Sequence, residues 1–283
     1  IKATLDTDAA ALRTERGGAP ALLAGEEDAA AGACRADALA ARVLGTTHET
    51  GAIDWTTKPS DVVVQLVIDL ETLRGESDRH ALLDGQPVPA ENATTLKKRS
   101  VFDVNLAQPG TYRISVESKG AFASWKDAAG QAKRARGTAD TIAKEIPAGA
   151  QDVQISESLG RNESFVTVGK PSAVKPHGTG LELAFVNPAD ATDHVKGEKT
   201  TFLILLDGQP AAGIEVAVTR GNTPWRDKLE EREFKTDAKG QVTVSWPEAG
   251  MYWLEAKGSD KKTSVPQATQ RRLSYTATLE VLP

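Results

Sequence analysis

Residues Thr236 to Ala256 constrain the fold of this chain more than any other stretch. They read Thr-Asp-Ala-Lys-Gly, then Gln-Val-Thr-Val-Ser-Trp, then Pro-Glu-Ala-Gly, then Met-Tyr-Trp-Leu-Glu-Ala. Apolar and polar residues alternate on both sides of the Pro/Gly break, and Asp237 to Gly240 forms a turn ahead of the first run. Successive side chains of a strand point to opposite faces, so this pattern predicts two half-buried strands, antiparallel because the connection between them is short.

The same alternation recurs from residue 100 onward, at 101–106, 111–116, 165–168, 181–186, 200–206, 214–219 and 275–281. Turn signals every 8 to 12 residues or so between short strands predict an immunoglobulin-like sandwich. Its inner faces would take Phe202, Ile204, Leu206, Val216, Val218, Val242, Val244, Trp246 and Tyr252. Residues 138–146 read as a short helix, with Thr138 as N-cap and Pro147 after the end.

The first 90 residues have a different composition. Residues 1–45 hold 15 alanines, and Trp55 is the only aromatic residue before position 100. Ala36 to Leu44 reads as helix with Gly45 as its stop, because Ala and Leu are strong helix formers. Residues 61–69 form a β-branched run that fits a strand buried on both faces. The expected class is therefore mainly β, with Ig-like antiparallel β-sandwich modules and an Ala-rich helical/α+β N-terminal segment. The expected domains are 1–90, 91–186 and 187–283.

An internal repeat crosses these boundaries. Leu82-Leu-Asp-Gly-Gln-Pro87 recurs letter for letter at Leu205 to Pro210. Downstream of each copy a strand opens on Gly-x-Tyr, at Tyr112 and at Tyr252. A period above 100 residues would be a domain duplication and not a solenoid.

The totals exclude several functional classes. With 34 Lys and Arg against 39 Asp and Glu, the net charge of −5 implies no general affinity for nucleic acid or an anionic membrane. No run reaches the roughly 20 apolar residues of a membrane-spanning helix. One cysteine, Cys34, permits no internal disulfide. No charged segment followed by an apolar core opens the sequence, so it is either cytoplasmic or has lost a leader. There is no Gly-x-Ser-x-Gly elbow, no phosphate-binding glycine loop and no zinc-type histidine spacing.

The candidate site residues are consequently few. His177 and His194 flank the 181–186 strand and could approach one another as metal ligands, with Asp190 and Asp193 nearby. Lys133-Arg-Ala-Arg136 is a short basic run, in which Arg134 and Arg136 are candidates for an anionic ligand or partner. Trp125 and Trp225 are candidates for stacking on a ligand. Each has a plainer reading: solvated loop histidines, a solvated charge run, and aromatic packing.

From about Val88 onward the chain resembles the exported NikM-like family of unknown-function proteins, some of which accompany nickel or cobalt uptake systems. The stretches that carry this are Ser100 to Tyr112, Phe122-Ala-Ser-Trp125, Lys133 to Pro147, Gly180 to Leu183, Leu206 to Pro210, Thr236 to Gly240, Gly250 to Trp253 and Ser274 to Pro283. The resemblance implies a periplasmic, β-rich, non-catalytic protein, with nickel or cobalt as the metal and a metal-uptake membrane system as partner. The histidine-bearing strand that opens this family is not found ahead of Val88. Residues 1–90, through Cys34 to Leu39, Val62 to Thr72 and His80 to Glu91, resemble the actinobacterial repeat family found ahead of HNH endonuclease domains. That resemblance implies a cytoplasmic setting and a join near 87–92, although no His-Asn-His finger is present.

Three functional readings follow. The first is a non-enzymatic periplasmic binding or accessory protein linked to nickel or cobalt uptake. The second is a structural module contacting protein or glycan. The third is a nuclease-associated protein.

Overall fold

A computed structural model describes residues 39–44, 63–69, 76–95, 99–221 and 228–283, with side chains for 81–94, 102–221 and 228–283. The chain is mainly β. Among the described residues, nine strands precede residue 170: β1 (Leu39–Leu44), β2 (Val63–Asp69), β3 (Glu76–Leu83), β4 (Gln86–Val88), β5 (Ala90–Thr95), β6 (Arg99–Asn105), β7 (Gly110–Lys126), β8 (Ala132–Gly137) and β9 (Gln151–Val168). Nine follow: β10 (Leu181–Phe185), β11 (His194–Val195), β12 (Lys199–Leu206), β13 (Gln209–Pro210), β14 (Glu215–Arg220), β15 (Arg232–Lys235), β16 (Gln241–Ser245), β17 (Gly250–Asp260) and β18 (Gln270–Leu282).

The pairing resolves these strands into two sandwiches with one wiring. In the first, β1-β2-β6-β5 forms one sheet and β4-β3-β7-β9 the other. In the second, β10-β12-β16 faces β15-β14-β17-β18. Taken in chain order these are the A-B-E(-D) and C′-C-F-G sheets of the immunoglobulin fold. The short strand β11 pairs parallel to β18, His194 opposite Val281.

The two last strands join the modules. β9 and β18 pair in parallel from Ser156↔Gln270 to Ser164↔Thr278. Each would otherwise be an open edge of its sheet. Their pairing merges both C′-C-F-G sheets into one ten-stranded sheet that also includes β8 and β11.

Each module has a tyrosine corner. The Tyr112 hydroxyl donates to the Gln108 carbonyl at 2.9 Å, and the Tyr252 hydroxyl donates to that of Glu248 at 2.8 Å. Both tyrosines begin the F strand, so the Gly-x-Tyr similarity marks equivalent places in two modules. The six-residue repeat does not. Its first copy is the β3–β4 hairpin, and its second is the β12–β13 hairpin, which follows the B strand. Asp84 and Gly85 (φ 51° and 77°), and Asp207 and Gly208 (φ 50° and 76°), build the same tight turn. Two positive φ angles define a type I′ turn, for which Asp-Gly is a favoured pair. The shared letters encode a turn and not a shared position.

The core of the second module contains the expected inner-face residues, with Leu206 partly buried at its margin. Trp246 is 1% exposed and packs against Tyr252 at 5.0 Å and Phe202 at 6.2 Å between ring centroids.

Three features differ from the sequence expectation. Leu39–Leu44 is a strand and not part of a helix, paired antiparallel to β2 from Leu39↔Ile68 to Leu44↔Val63. Sheet pairing here overrides a weak local preference. Residues 138–146 hold only a 3-10 turn at Ile142–Glu145. The Thr138 N–H donates to Thr141 Oγ1 at 2.8 Å, so side-chain bonding replaces a helical start. Hydrogen bonding also runs across residue 90, because β2 pairs with β6 and β3 with β7.

Candidate functional site

The largest concentration of buried charge lies where the two modules meet. On β7, Arg113, Ser115 and Glu117 alternate with the apolar Tyr112, Ile114 and Val116. On β9, Arg161, Glu163 and Phe165 alternate with Asn162, Ser164 and Val166. Register sets Arg113 opposite Phe165, Ser115 opposite Glu163 and Glu117 opposite Arg161, so all six share one face. In a lone half-buried sheet this would be the water-facing side. Here β10 and residues 169–180 cover it, and Tyr275 reaches across from the neighbouring β18.

Covering requires partners, because a buried polar group without one is costly. The Arg113 guanidinium is 1% exposed and donates to the Leu183 carbonyl at 2.7 Å and the Lys175 carbonyl at 3.0 Å. It also lies 3.4 Å from Glu182 and 3.6 Å from Glu163. Arg161 donates to Glu117 at 2.8 and 3.0 Å, and to the Leu181 carbonyl at 3.1 Å. Glu163, fully buried, accepts from Ser115 and from the Tyr275 hydroxyl, both at 2.8 Å. Glu182, also fully buried, accepts the backbone N–H of His177 at 2.6 Å and of Gly178 at 2.8 Å.

His177 sits over this network. Its Nε2 lies 3.3 Å from Ser115 Oγ and 3.6 Å from Glu163, and its Nδ1 lies 3.8 Å from Glu117. Burial and the Arg161 guanidinium push its pKa down to about 4, so the ring is neutral at pH 7. Burial, aided by Glu163, raises the Tyr275 phenol well above its usual range, so it remains a donor.

A second cluster pins the Asp207 turn to β18. Arg271 forks onto both Asp207 oxygens at 3.1 and 2.9 Å, and it also bonds Asp260. Lys262 and the Gly180 N–H complete the Asp207 set, at 2.9 and 3.0 Å. The Arg271 guanidinium holds the Asp207 carboxyl well below the ordinary carboxylate range.

The structure separates the two candidate metal ligands. His194 is 1% exposed inside the second core, against Trp246 at 5.1 Å and Phe202 at 5.7 Å. Its Nδ1 lies 3.0 Å from Thr200 Oγ1, which also accepts the Trp246 indole N–H at 2.8 Å. Burial lowers its pKa to about 4. The ring neighbours of His177 include Ser115, Glu117 and Glu163, so the two histidines lie in different interiors. Among the described residues, no group of three or more His, Cys, Asp or Glu side chains is placed to hold a metal ion.

The other candidates divide in the same way. Trp125 is 8% exposed, in a small core with Ala121, Ala123, Ile142, Ile155 and Val265, and it offers no open stacking surface. Arg134 and Arg136 are exposed on β8 and face the opposite side of the sheet. Trp225 lies outside the described residues. Sequence reasoning missed Arg113, Arg161, Glu163 and Glu182, because charges at every second position of a strand have the signature of a solvated face.

The wiring and the joint define a two-module Ig-like β-sandwich protein held together by its own buried charges. Residues 59–260 match the family described as a domain of unknown function, DUF4198, and the chain belongs to that family. The match runs uninterrupted across residues 87–92. No curated protein matches. Among solved structures, the D0-D1 domain of intimin is similar at 10% identity and a TM-score of 0.22, over 80% of this chain and 93% of that one. The Yersinia pseudotuberculosis adhesin InvE is similar at 14% identity and a TM-score of 0.20, over 88% of this chain and 61% of that one. The mouse nectin-like molecule 4 ectodomain is similar at 11% identity and a TM-score of 0.18, over 87% and 64%. TM-scores this low leave the fold to be defined by its strand wiring. No helix among the described residues is long and apolar enough to cross a membrane.

Proposed function

We propose that this chain is a non-enzymatic periplasmic binding module, a stiff two-sandwich accessory that works through its surface. One observation carries the reading. The groups best suited to chemistry, Glu163, Glu182, Arg113 and Arg161, are consumed in joining the modules, with hydrogen bonds made inside the protein except at Arg113 Nε, which lies 3.6 Å from Glu163. A catalytic or carrier site keeps at least one such group open to its substrate. The nickel or cobalt role implied by the NikM-like resemblance is then exercised by contact with an uptake system and not by an ion carried between His177 and His194.

Calorimetric titration with Ni²⁺ and Co²⁺, on the full chain and on a His177→Ala/His194→Ala variant, tests this. The proposal expects no saturable heat from either protein. One-to-one binding that disappears in the variant would overturn it and make the chain a metal carrier.

A further inference from the structure

The continuous sheet has a second face; beyond the first sandwich it is polar and basic over β8, β7, β9 and β18, whereas Glu215 and Glu233 share it on β14 and β15. Directly opposed residues share a face, so register assembles it. One row runs Ser118, Gly160, Ser274 and Lys257 across β7, β9, β18 and β17. The next runs Gly120, Ser158, Arg272 and Ser259. A third runs Arg136, Phe122, Ser156 and Gln270 from β8 to β18, and Arg134, Ser124 and Gln154 follow.

The charges on this face are unequal. Lys257 is matched by Glu255 at 2.7 Å, and Lys126 at the margin by Asp152 at 2.7 Å. Arg134, Arg136 and Arg272 are exposed and form no ion pair with any described residue. Three open guanidinium groups on one face stand out in a chain whose net charge is −5. Arg272 lies over the half-exposed Phe122 ring, 5.4 Å from its centroid, within cation–π range.

The surface is also shaped. A shallow, open depression of about 490 Å³ is lined by Ser158, Ser259, Ser274, Lys257, Gln270 and Arg272. Beside it Gly160 leaves room for two hydroxyls: a Cβ there would stand 2.7 Å from Ser118 Oγ and 3.2 Å from Ser274 Oγ. The Ser156 hydroxyl, between Phe122 and Gln270, has no hydrogen-bond partner among the described residues.

We infer that this face, across β8, β7, β9, β18 and β17, binds an anionic polysaccharide. Open guanidinium groups take its carboxylates or sulfates as charge-assisted pairs. Hydroxyl and amide groups at strand spacing suit sugar hydroxyls, and the Phe122 ring beneath Arg272 steadies that guanidinium for an acidic group. An acidic peptide would use the arginines but has no need of the serine rows. The inference deepens the binding-module reading and rests on it.

Affinity electrophoresis of the full chain tests it, in gels containing polygalacturonate, dextran sulfate, neutral dextran or poly-L-glutamate. Either anionic polysaccharide should retard the protein, and salt should weaken the effect. Arg134→Gln/Arg136→Gln/Arg272→Gln, checked for unchanged melting, should weaken retention about tenfold or more. Phe122→Ala, with all charges kept, should weaken it by a smaller factor. No retardation of the folded protein, equal retardation of the triple variant, or neutral dextran binding as strongly would overturn the inference. Poly-L-glutamate binding as strongly would also overturn it and point to an acidic protein partner. Each of these failures leaves the non-enzymatic reading to the metal titration.

Discussion

The two interiors of this molecule are built on the same kind of strand and filled with opposite chemistry. Inside the second sandwich, Trp246, Tyr252, Phe202 and His194 pack as an aromatic cluster around a single shared hydroxyl, Thr200 Oγ1. Between the sandwiches, Arg113, Arg161, Glu163 and Glu182 pack as a charged cluster around backbone carbonyls and amides. Apolar burial stabilises in proportion to area and is indifferent to direction. The charged joint is satisfied only when every partner is in register, because desolvation of buried ions is repaid only by good geometry. The first interior holds a module together; the second fixes how two modules meet.

That division of labour can be broken from either side. The largest expected effect is in the aromatic core. Trp246→Ala removes the largest fully buried side chain and the indole bond to Thr200, and should cost about 3–5 kcal/mol in urea unfolding. In the joint, Arg113→Met removes the nearer guanidinium facing Glu163 and Glu182, leaving only Arg161 at 3.9 and 4.0 Å, and should cost about 3 kcal/mol. Adding Glu163→Met should recover part of that loss. If the pair is no more stable than the single variant, the joint does not act as a coupled network.

Protonation separates the two interiors more gently. His177 and His194 both have folded pKa values of about 4, below the ordinary 6.5. Between those values the unfolded chain binds more protons, so the stabilisation is fully present above about pH 6.5 and is lost as pH falls toward 4. A tenfold difference in proton affinity is worth about 1.4 kcal/mol, so each ring contributes up to about 3 kcal/mol across that window. Urea midpoints for His177→Gln and for His194→Gln should each fall less steeply than wild type as pH falls from 7 to 4. A wild-type slope in both would remove the histidines from this account.

The smallest effect concerns what the modules share. Tyr252→Phe deletes the bond to the Glu248 carbonyl, and Tyr112→Phe deletes the bond to the Gln108 carbonyl and the one accepted from the Gln108 N–H; each should cost about 1 kcal/mol. Near-equal losses fit equivalent F strands. A loss at Tyr252 alone would mean that the first corner contributes no stability.

Much of the second module was legible in the sequence because its strands are half-buried in the ordinary way. Val242, Val244 and Trp246 alternate with polar residues, and the structure buries them on one face. The first module was harder to read. Leu39–Leu44 is Ala-rich yet lies in a sheet, because its pairing partner β2 decides the outcome. β9 carries Arg161, Asn162 and Glu163 in succession, a run with no apolar alternation. Its buried face is polar because another module covers it, and that contact cannot be seen in local periodicity. In the sequence the basic face is visible only as two separate short runs, 133–136 and 270–272, more than 130 residues apart, which strand register alone brings together.

The central claim is that β9 and β18 form one seam, and native-state amide hydrogen exchange tests it most directly. In a strand, consecutive N–H groups point to opposite sides, so a strand bonded on both sides protects every amide. The account predicts uninterrupted slow exchange through residues 157–163 and 271–277, at rates set by unfolding of the whole molecule. Protection of every second amide only, with the alternate ones exchanging nearly as fast as in unfolded chain, would show two separate sheet edges and contradict it.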